Sequence, residues 1–162
     1  MSRFDDFVHR VTAQRALLNL AAERISDIEG VIFEVGLGNG RTFDHLRTIL
    51  PDREIYVFDR KARAHENSTP DAAFLIEGQL QDTLPAAVAR FAGKVALVHS
   101  DIGNQSPVHC ANMQRLLNDT ITPALTSGGI LLSDLKLAPP GLAPLMRPEA
   151  IDADWYDAWQ RP

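Results

Sequence analysis

Two kinds of hydrophobic pattern divide the chain. Residues 4–25 carry Phe4, Phe7, Val8, Val11, Leu18, Ala22 and Ile25 at helical spacing, so one apolar stripe runs along a predicted helix. Gln14 and Arg15 interrupt that stripe. Beyond residue 30 the pattern changes to short, unbroken apolar runs: VIFEV (31–35), EIYVF (54–58), AAFLI (72–76), KVALVH (94–99) and GGILLSD (128–134). Each is bounded by turn residues, as expected for strands covered on both faces of a parallel sheet. Between them RTFDHLRTIL, LQDTLPAAVARF and SPVHCANMQRLLNDTITPAL read as helices. The last begins near Pro107, where proline is tolerated, and ends or kinks at Pro123.

Strands alternating with helices imply right-handed crossovers and an α/β fold, a Rossmann-like doubly wound sheet of five parallel strands. A single domain over 1–162 is expected, with an N-terminal helix (1–28), a core (30–135) and a tail (136–162). Pro139, Pro140, Pro144, Pro148 and Pro162 crowd into the tail, so no further strand inside the sheet is expected there. Trp155 and Trp159 stand four apart, a spacing that puts both on one helical face.

Composition adds exclusions. The chain is 45% hydrophobic and 23% charged, ordinary for a globular protein. Its net charge of −5 counts against a nucleic-acid partner. The single cysteine, Cys110, leaves no intrachain disulfide and no cysteine zinc site, and reads as a small buried apolar residue. His45, His65, His99 and His109 lack metal-ligand spacing. The opening MSRFDDFVHR has no signal-peptide core, and no apolar run nears the roughly 20 residues of a membrane span. A cytoplasmic protein without a membrane partner is expected.

The candidate chemistry lies in EVGLGNGRT (34–42), a bare turn between a strand and a helix, where a ligand can approach the backbone closely. A triphosphate loop would end in Gly-Lys-Ser/Thr, but Arg41 and Thr42 follow Gly40. A dinucleotide loop would place its third glycine at position 41, which is Arg41. The spacing present is Glu34, Gly36, Gly38, Gly40, with Leu37 inside the turn.

That spacing resembles motif I of the class I S-adenosylmethionine (SAM) methyltransferases, and the resemblance extends over residues 30–135. It implies strand order 3-2-1-4-5 and a SAM cofactor as methyl donor. Asp59 of IYVFDR, with Arg60 beside it, then falls where the family holds the ribose diol. Gly78, Gln79 and Leu80 fall where it holds adenine, although many relatives keep Asp at the position of Gln79. Asp101 of VHSDIG falls near the methionine end, and GGILLSD matches the family's fifth strand. Glu34 would anchor the amino-acid end of the cofactor electrostatically, and Gln14 or Arg15 would face the pocket, Arg15 toward the cofactor carboxylate.

The resemblance implies methyl transfer to an unidentified acceptor, expected to be a small molecule. Alignment does most of the work in such a displacement, so no catalytic residue is assigned. The Asn/Asp-Pro-Pro-Tyr/Phe signature of amino-group methylation is missing, SDIGNQ standing in its place. Metal-dependent relatives use an Asp-Asn pair where this chain has Asp134 and Leu135, and no metal is expected. A SAM-binding protein without transferase activity is the alternative, and an NAD oxidoreductase is disfavoured by Arg41. Relatives carry two more strands after the fifth. Without them residues 128–134 would be an exposed edge, and a homodimer is the expected way to cover it.

Overall fold

The computed structural model describes residues 2–162. Its helices are α1 (Arg3–Arg24), α2 (Arg41–Ile49), α3 (Leu80–Arg90) and α4 (Pro107–Thr120). Its strands are β1 (Val31–Val35), β2 (Ile55–Asp59), β3 (Leu75–Glu77), β4 (Val95–Ser100), β5 (Leu125–Ser133), β6 (Ala143–Pro144) and β7 (Asp157–Gln160). They form one sheet in the order β3-β2-β1-β4-β5-β7-β6, parallel from β3 to β5 and antiparallel beyond.

Period-two alternation sends neighbouring residues of each central strand to opposite faces. Ile32, Val57 and Leu97 join Leu17, Leu18, Ala21 and Leu46 in the core beneath α1 and α2. Phe33, Phe58 and Val98 join Leu84, Phe91 and Leu117 in the core beneath α3 and α4. There Phe33 meets Phe58 and Phe91 edge-on, at centroid distances of 5.0 and 5.6 Å. Two covered faces explain why these strands read as continuous apolar runs.

A capping box between Ser2 and Asp5 starts α1. Its second half packs on the sheet through Ala13, Gln14, Leu17, Leu18 and Ala21, while Phe4, Phe7 and Val8 stay exposed. Ser106 caps α4, Pro107 opens it, and the helix stops at Thr120 before a turn that contains Pro123. The third strand is shorter than its apolar run, because residues 72–74 form a helical turn and only Leu75–Glu77 pair with β2. No helix among the described residues is long and apolar enough to cross a membrane.

The tail departs from expectation. Residues 157–160 form a strand that pairs antiparallel with β5, matching Leu131 with Trp159 and Leu132 with Ala158. Trp155 and Trp159 therefore share no helical face. The segment 149–161 contains no proline, and Pro144 lies in the outermost strand, where its missing N–H breaks no inner ladder. Tyr156, Ala158 and Leu145 sink into the core on the α1 side. Strand β5 is thus no exposed edge, and the pairing surface that underlay the expected homodimer is occupied within the chain.

Candidate cofactor-binding site

The strand order puts the carboxyl end of β1 between those of β2 and β4, so the glycine turn lies with Asp59 on one side and Asp101 on the other. Gly36 N–H donates to the Phe58 carbonyl at 2.8 Å, continuing the β1–β2 ladder into the turn. Asp59 then fastens the loop. Its Oδ2 accepts the N–H groups of Leu37 (3.0 Å) and Gly38 (3.3 Å), and its Oδ1 accepts that of Lys61 (3.1 Å). A carboxylate has about four acceptor positions, two on each oxygen, so Oδ2 is filled and Oδ1 retains one for a ligand.

Two of the glycines differ in purpose. Gly40 has φ +76°, and a Cβ there would run into the carbonyl oxygen and side chain of Ser68, so packing of the turn demands it. Gly38 has φ +52° and nothing within 4 Å of a Cβ position. Its bareness leaves open space on the cleft side.

A cleft of about 670 Å³ opens at these strand ends, ample for a nucleoside-sized ligand. Gly36, Gly38, Asp59, Arg60, Gly78, Gln79, Leu80 and Asp101 line it together with Val35 and Phe58. Three residues of the strand end and glycine turn singled out from the sequence do not. Gly40 is buried at the start of α2, Leu37 turns its side chain into the core and offers only its N–H, and Glu34 is fully buried.

Glu34 instead ties elements together beneath the turn. One of its oxygens accepts from the Thr42 hydroxyl at the start of α2, and the other lies 2.6 Å from His99 Nδ1 on β4. Burial opposes a charged His99, but Glu34, helped by Asp101 and Asp134, more than offsets this, so the ring takes up its second proton more readily than free histidine. Gln14 Nε2 lies 3.2 Å from His99 Nε2 and donates to Asp101 Oδ2 at 3.0 Å. Spending one amide hydrogen on each makes His99 Nε2 an acceptor and places the ring proton on Nδ1, facing Glu34. A second ring proton would face the Gln14 amide hydrogens and displace them.

Of the two residues expected to face the pocket, Gln14 is buried outside the cleft lining and reaches it only through Asp101, and Arg15 is exposed. Sequence reasoning missed Arg10, one turn before Gln14, whose Nη1 lies 3.5 Å from Asp101 Oδ2 and 3.3 Å from the Tyr156 hydroxyl. The i, i+4 spacing of Arg10 and Gln14 was the available signal. The wall formed by Ile102, Asn104, His109, Asn112 and Met113 was also missed. His109 Nε2 lies 2.9 Å from the Ile102 carbonyl and fixes that loop. Asp134 accepts the N–H groups of Ile102 (3.1 Å) and Gly103 (2.7 Å), so its oxygens serve the same loop.

The donor set suits a nucleoside with an amino-acid end: carboxylates on either side of an open glycine, and no lysine in the turn. Comparison with known proteins agrees. Against curated proteins the chain gives no significant match. Among solved structures it is similar to an S-adenosyl-L-methionine methyl transferase from Silicibacter pomeroyi DSS-3, at 38% identity and TM-score 0.92, over 99% of each chain. The aminoglycoside resistance methyltransferase NpmB1 (15% identity, TM-score 0.54) and the antibiotic-resistance methyltransferase Kmr (16%, 0.51) share the fold, each over 86% of this chain and 91% of theirs. A sequence profile for S-adenosyl-L-methionine methyltransferases matches residues 1–161, and the chain belongs to that family of SAM-dependent enzymes.

Proposed function

We propose that this protein, working as a single domain over residues 1–162, binds SAM in the β1–β2–β4 cleft and methylates a small-molecule acceptor. The carrying observation is the placement of Asp59 and Asp101 on either side of the open face at Gly38. In this reading Asp59 accepts from a ribose hydroxyl at the free position of Oδ1, with Arg60 at the rim. Gly78, Gln79 and Leu80 border the adenine, Gln79 offering an amide where many relatives offer a carboxylate. Gly36 and Gly38 let the amino-acid end lie against the backbone, and Asp101 supplies negative charge beside it. When bound, SAM supplies an electrophilic methyl group on a sulfonium. The chain's part is to hold that methyl in line with the acceptor, which needs alignment and exclusion of water more than a fixed base.

Leu37, Gly40 and Glu34 act from beneath, shaping the turn without touching the ligand. A net charge of −5 favours a small acceptor over a nucleic acid. Calorimetric titration with SAM, S-adenosylhomocysteine and NAD, followed by turnover assays across small hydroxyl, amine and thiol acceptors, tests this reading. Binding of NAD in preference to both sulfur ligands would refute it.

A further inference from the structure

The amino-acid end of SAM is a zwitterion, and a single carbon separates its ammonium from its carboxylate. A site that reads it needs an anion and a cation side by side. Glu34, the acid nearest the turn in sequence, cannot serve, because it is fully buried with Thr42 and His99 on its oxygens. Asp101 is the available anion. It lines the cleft, its side chain is 29% exposed, and only Oδ2 is engaged, leaving Oδ1 without a partner among the described residues.

The matching cation comes from α1. Arg10 reaches Asp101 over a long 3.5 Å contact and keeps 34% of its side chain exposed. Its contacts to Asp101 and to the Tyr156 hydroxyl both use Nη1, so Nε and Nη2 have no acceptor among the described residues. Tyr156 is itself buried and anchored in the core, and Phe7 lies one turn away with its ring 6.0 Å from the guanidinium carbon. The head group is therefore held from several sides while half of its fork is unspent. A free guanidinium edge suits a carboxylate, which it can grip with two parallel hydrogen bonds.

We propose that Arg10 and Asp101 together clamp the amino-acid end of the cofactor, Arg10 taking the α-carboxylate and Asp101 the α-ammonium. This rests on the reading of the cleft as a SAM site. It makes α1 part of the cofactor site, since Arg10 and Gln14 present one helical face to Asp101. The clamp also selects ligands, because a nucleoside thioether without the amino-acid group gains nothing from it.

The test is calorimetric titration of the full-length protein and its Arg10→Ala variant with two ligands. S-adenosylhomocysteine carries the amino-acid end, and 5′-methylthioadenosine lacks it. The variant should bind S-adenosylhomocysteine about 10- to 100-fold more weakly, the range for losing hydrogen bonds to a charged group. Its affinity for methylthioadenosine should stay within about twofold of the parent, showing that the adenosine half of the cleft and the fold are intact. Arg10→Lys should recover only part of the loss, because a point charge cannot reproduce the fork. Equal weakening of both ligands would make Arg10 a strut of the fold and overturn the proposal. So would unchanged binding of S-adenosylhomocysteine in a variant whose parent binds both ligands. A parent protein that binds neither ligand would overturn the SAM site itself, and the clamp with it.

Discussion

His99 Nδ1 stands 2.6 Å from Glu34 Oε2, and both side chains are wholly buried beneath the glycine turn. The pair joins β4 to β1, and the Thr42 hydroxyl extends it to the start of α2. A buried carboxylate is costly unless partnered, and breaking one side of a buried pair removes about 3–5 kcal/mol. His99→Ala should therefore destabilise the protein by that amount in urea unfolding. The double variant Glu34→Leu, His99→Leu should recover part of the loss, because no unpaired charge remains. A loss below about 1 kcal/mol for His99→Ala would show that the pair is not a strut.

Glu34 also marks the limit of what the sequence could convey. Its position before the turn was legible, and so were Asp59 and the glycines, because strand ends and turn residues follow from local pattern. Its burial was not, since the partner that claims its second oxygen lies 65 residues away on β4. Arg10 was missed for a related reason. Its place beside Asp101 depends on how α1 lies across the face of the sheet, a tertiary fact that leaves only a faint i, i+4 trace. The tail strand β7 was obscured because proline density across 136–162 hid the proline-free stretch within it.

Asp59 both fastens the turn and faces the cleft, so Asp59→Ala acts on each. It leaves the N–H groups of Leu37, Gly38 and Lys61 without their acceptor and removes the proposed ribose contact. SAM binding should weaken by about 1–3 kcal/mol, the range for leaving buried polar groups unpaired. Calorimetry with S-adenosylhomocysteine measures this directly. Unchanged affinity would remove Asp59 from the site.

Two glycine substitutions should separate packing from ligand approach. At Gly40 an added Cβ meets Ser68 backbone and a φ of +76°, so Gly40→Ala should lower the unfolding midpoint sharply. At Gly38 the added Cβ meets no protein atom, and the left-handed φ of +52° costs about 1 kcal/mol. Gly38→Ala should thus fold almost normally yet bind S-adenosylhomocysteine poorly, because the methyl group occupies the cleft side. The reverse ranking, with Gly38→Ala the less stable and Gly40→Ala the weaker binder, would contradict this division.

Asp134 gives the stability an acid-side slope. Burial pushes its carboxyl up to about 6, with Asp101 adding to the push, while the N–H groups of Gly103 and Ile102 and the nearby His99 pull it back. The folded protein therefore binds a proton that the unfolded chain, titrating near 3.8, has released. Stability from this group is fully present below pH 3.8 and is lost as pH rises through 6. A shift of this size corresponds to at most about 3 kcal/mol. Urea unfolding of the parent and of Asp134→Asn across that range should show their stability difference changing with pH in this sense. A difference that stays flat between pH 4 and 7 would mean that Asp134 titrates alike in both states.

The tail should keep β5 from pairing with other chains. Strand β7 covers the backbone of Ile130, Leu131 and Leu132, all of which are buried in the intact protein. Asp157 secures the entry to β7 by accepting the Leu137 N–H at 2.6 Å and the Lys136 ammonium at 3.1 Å. A chain ending at Leu142 would lose β6 and β7 and expose an apolar parallel-sheet edge, a ready template for intermolecular pairing. It should form larger species as concentration rises, read by light scattering, while the full chain does not. Because that truncation also removes Tyr156 and Leu145 from the core, Asp157→Ala supplies the milder comparison. It keeps every apolar contact, should cost about 1–3 kcal/mol through the orphaned Leu137 N–H, and should speed proteolysis within residues 147–154. A truncated chain that scatters like the full one at every concentration would show that the edge is protected by something other than the tail.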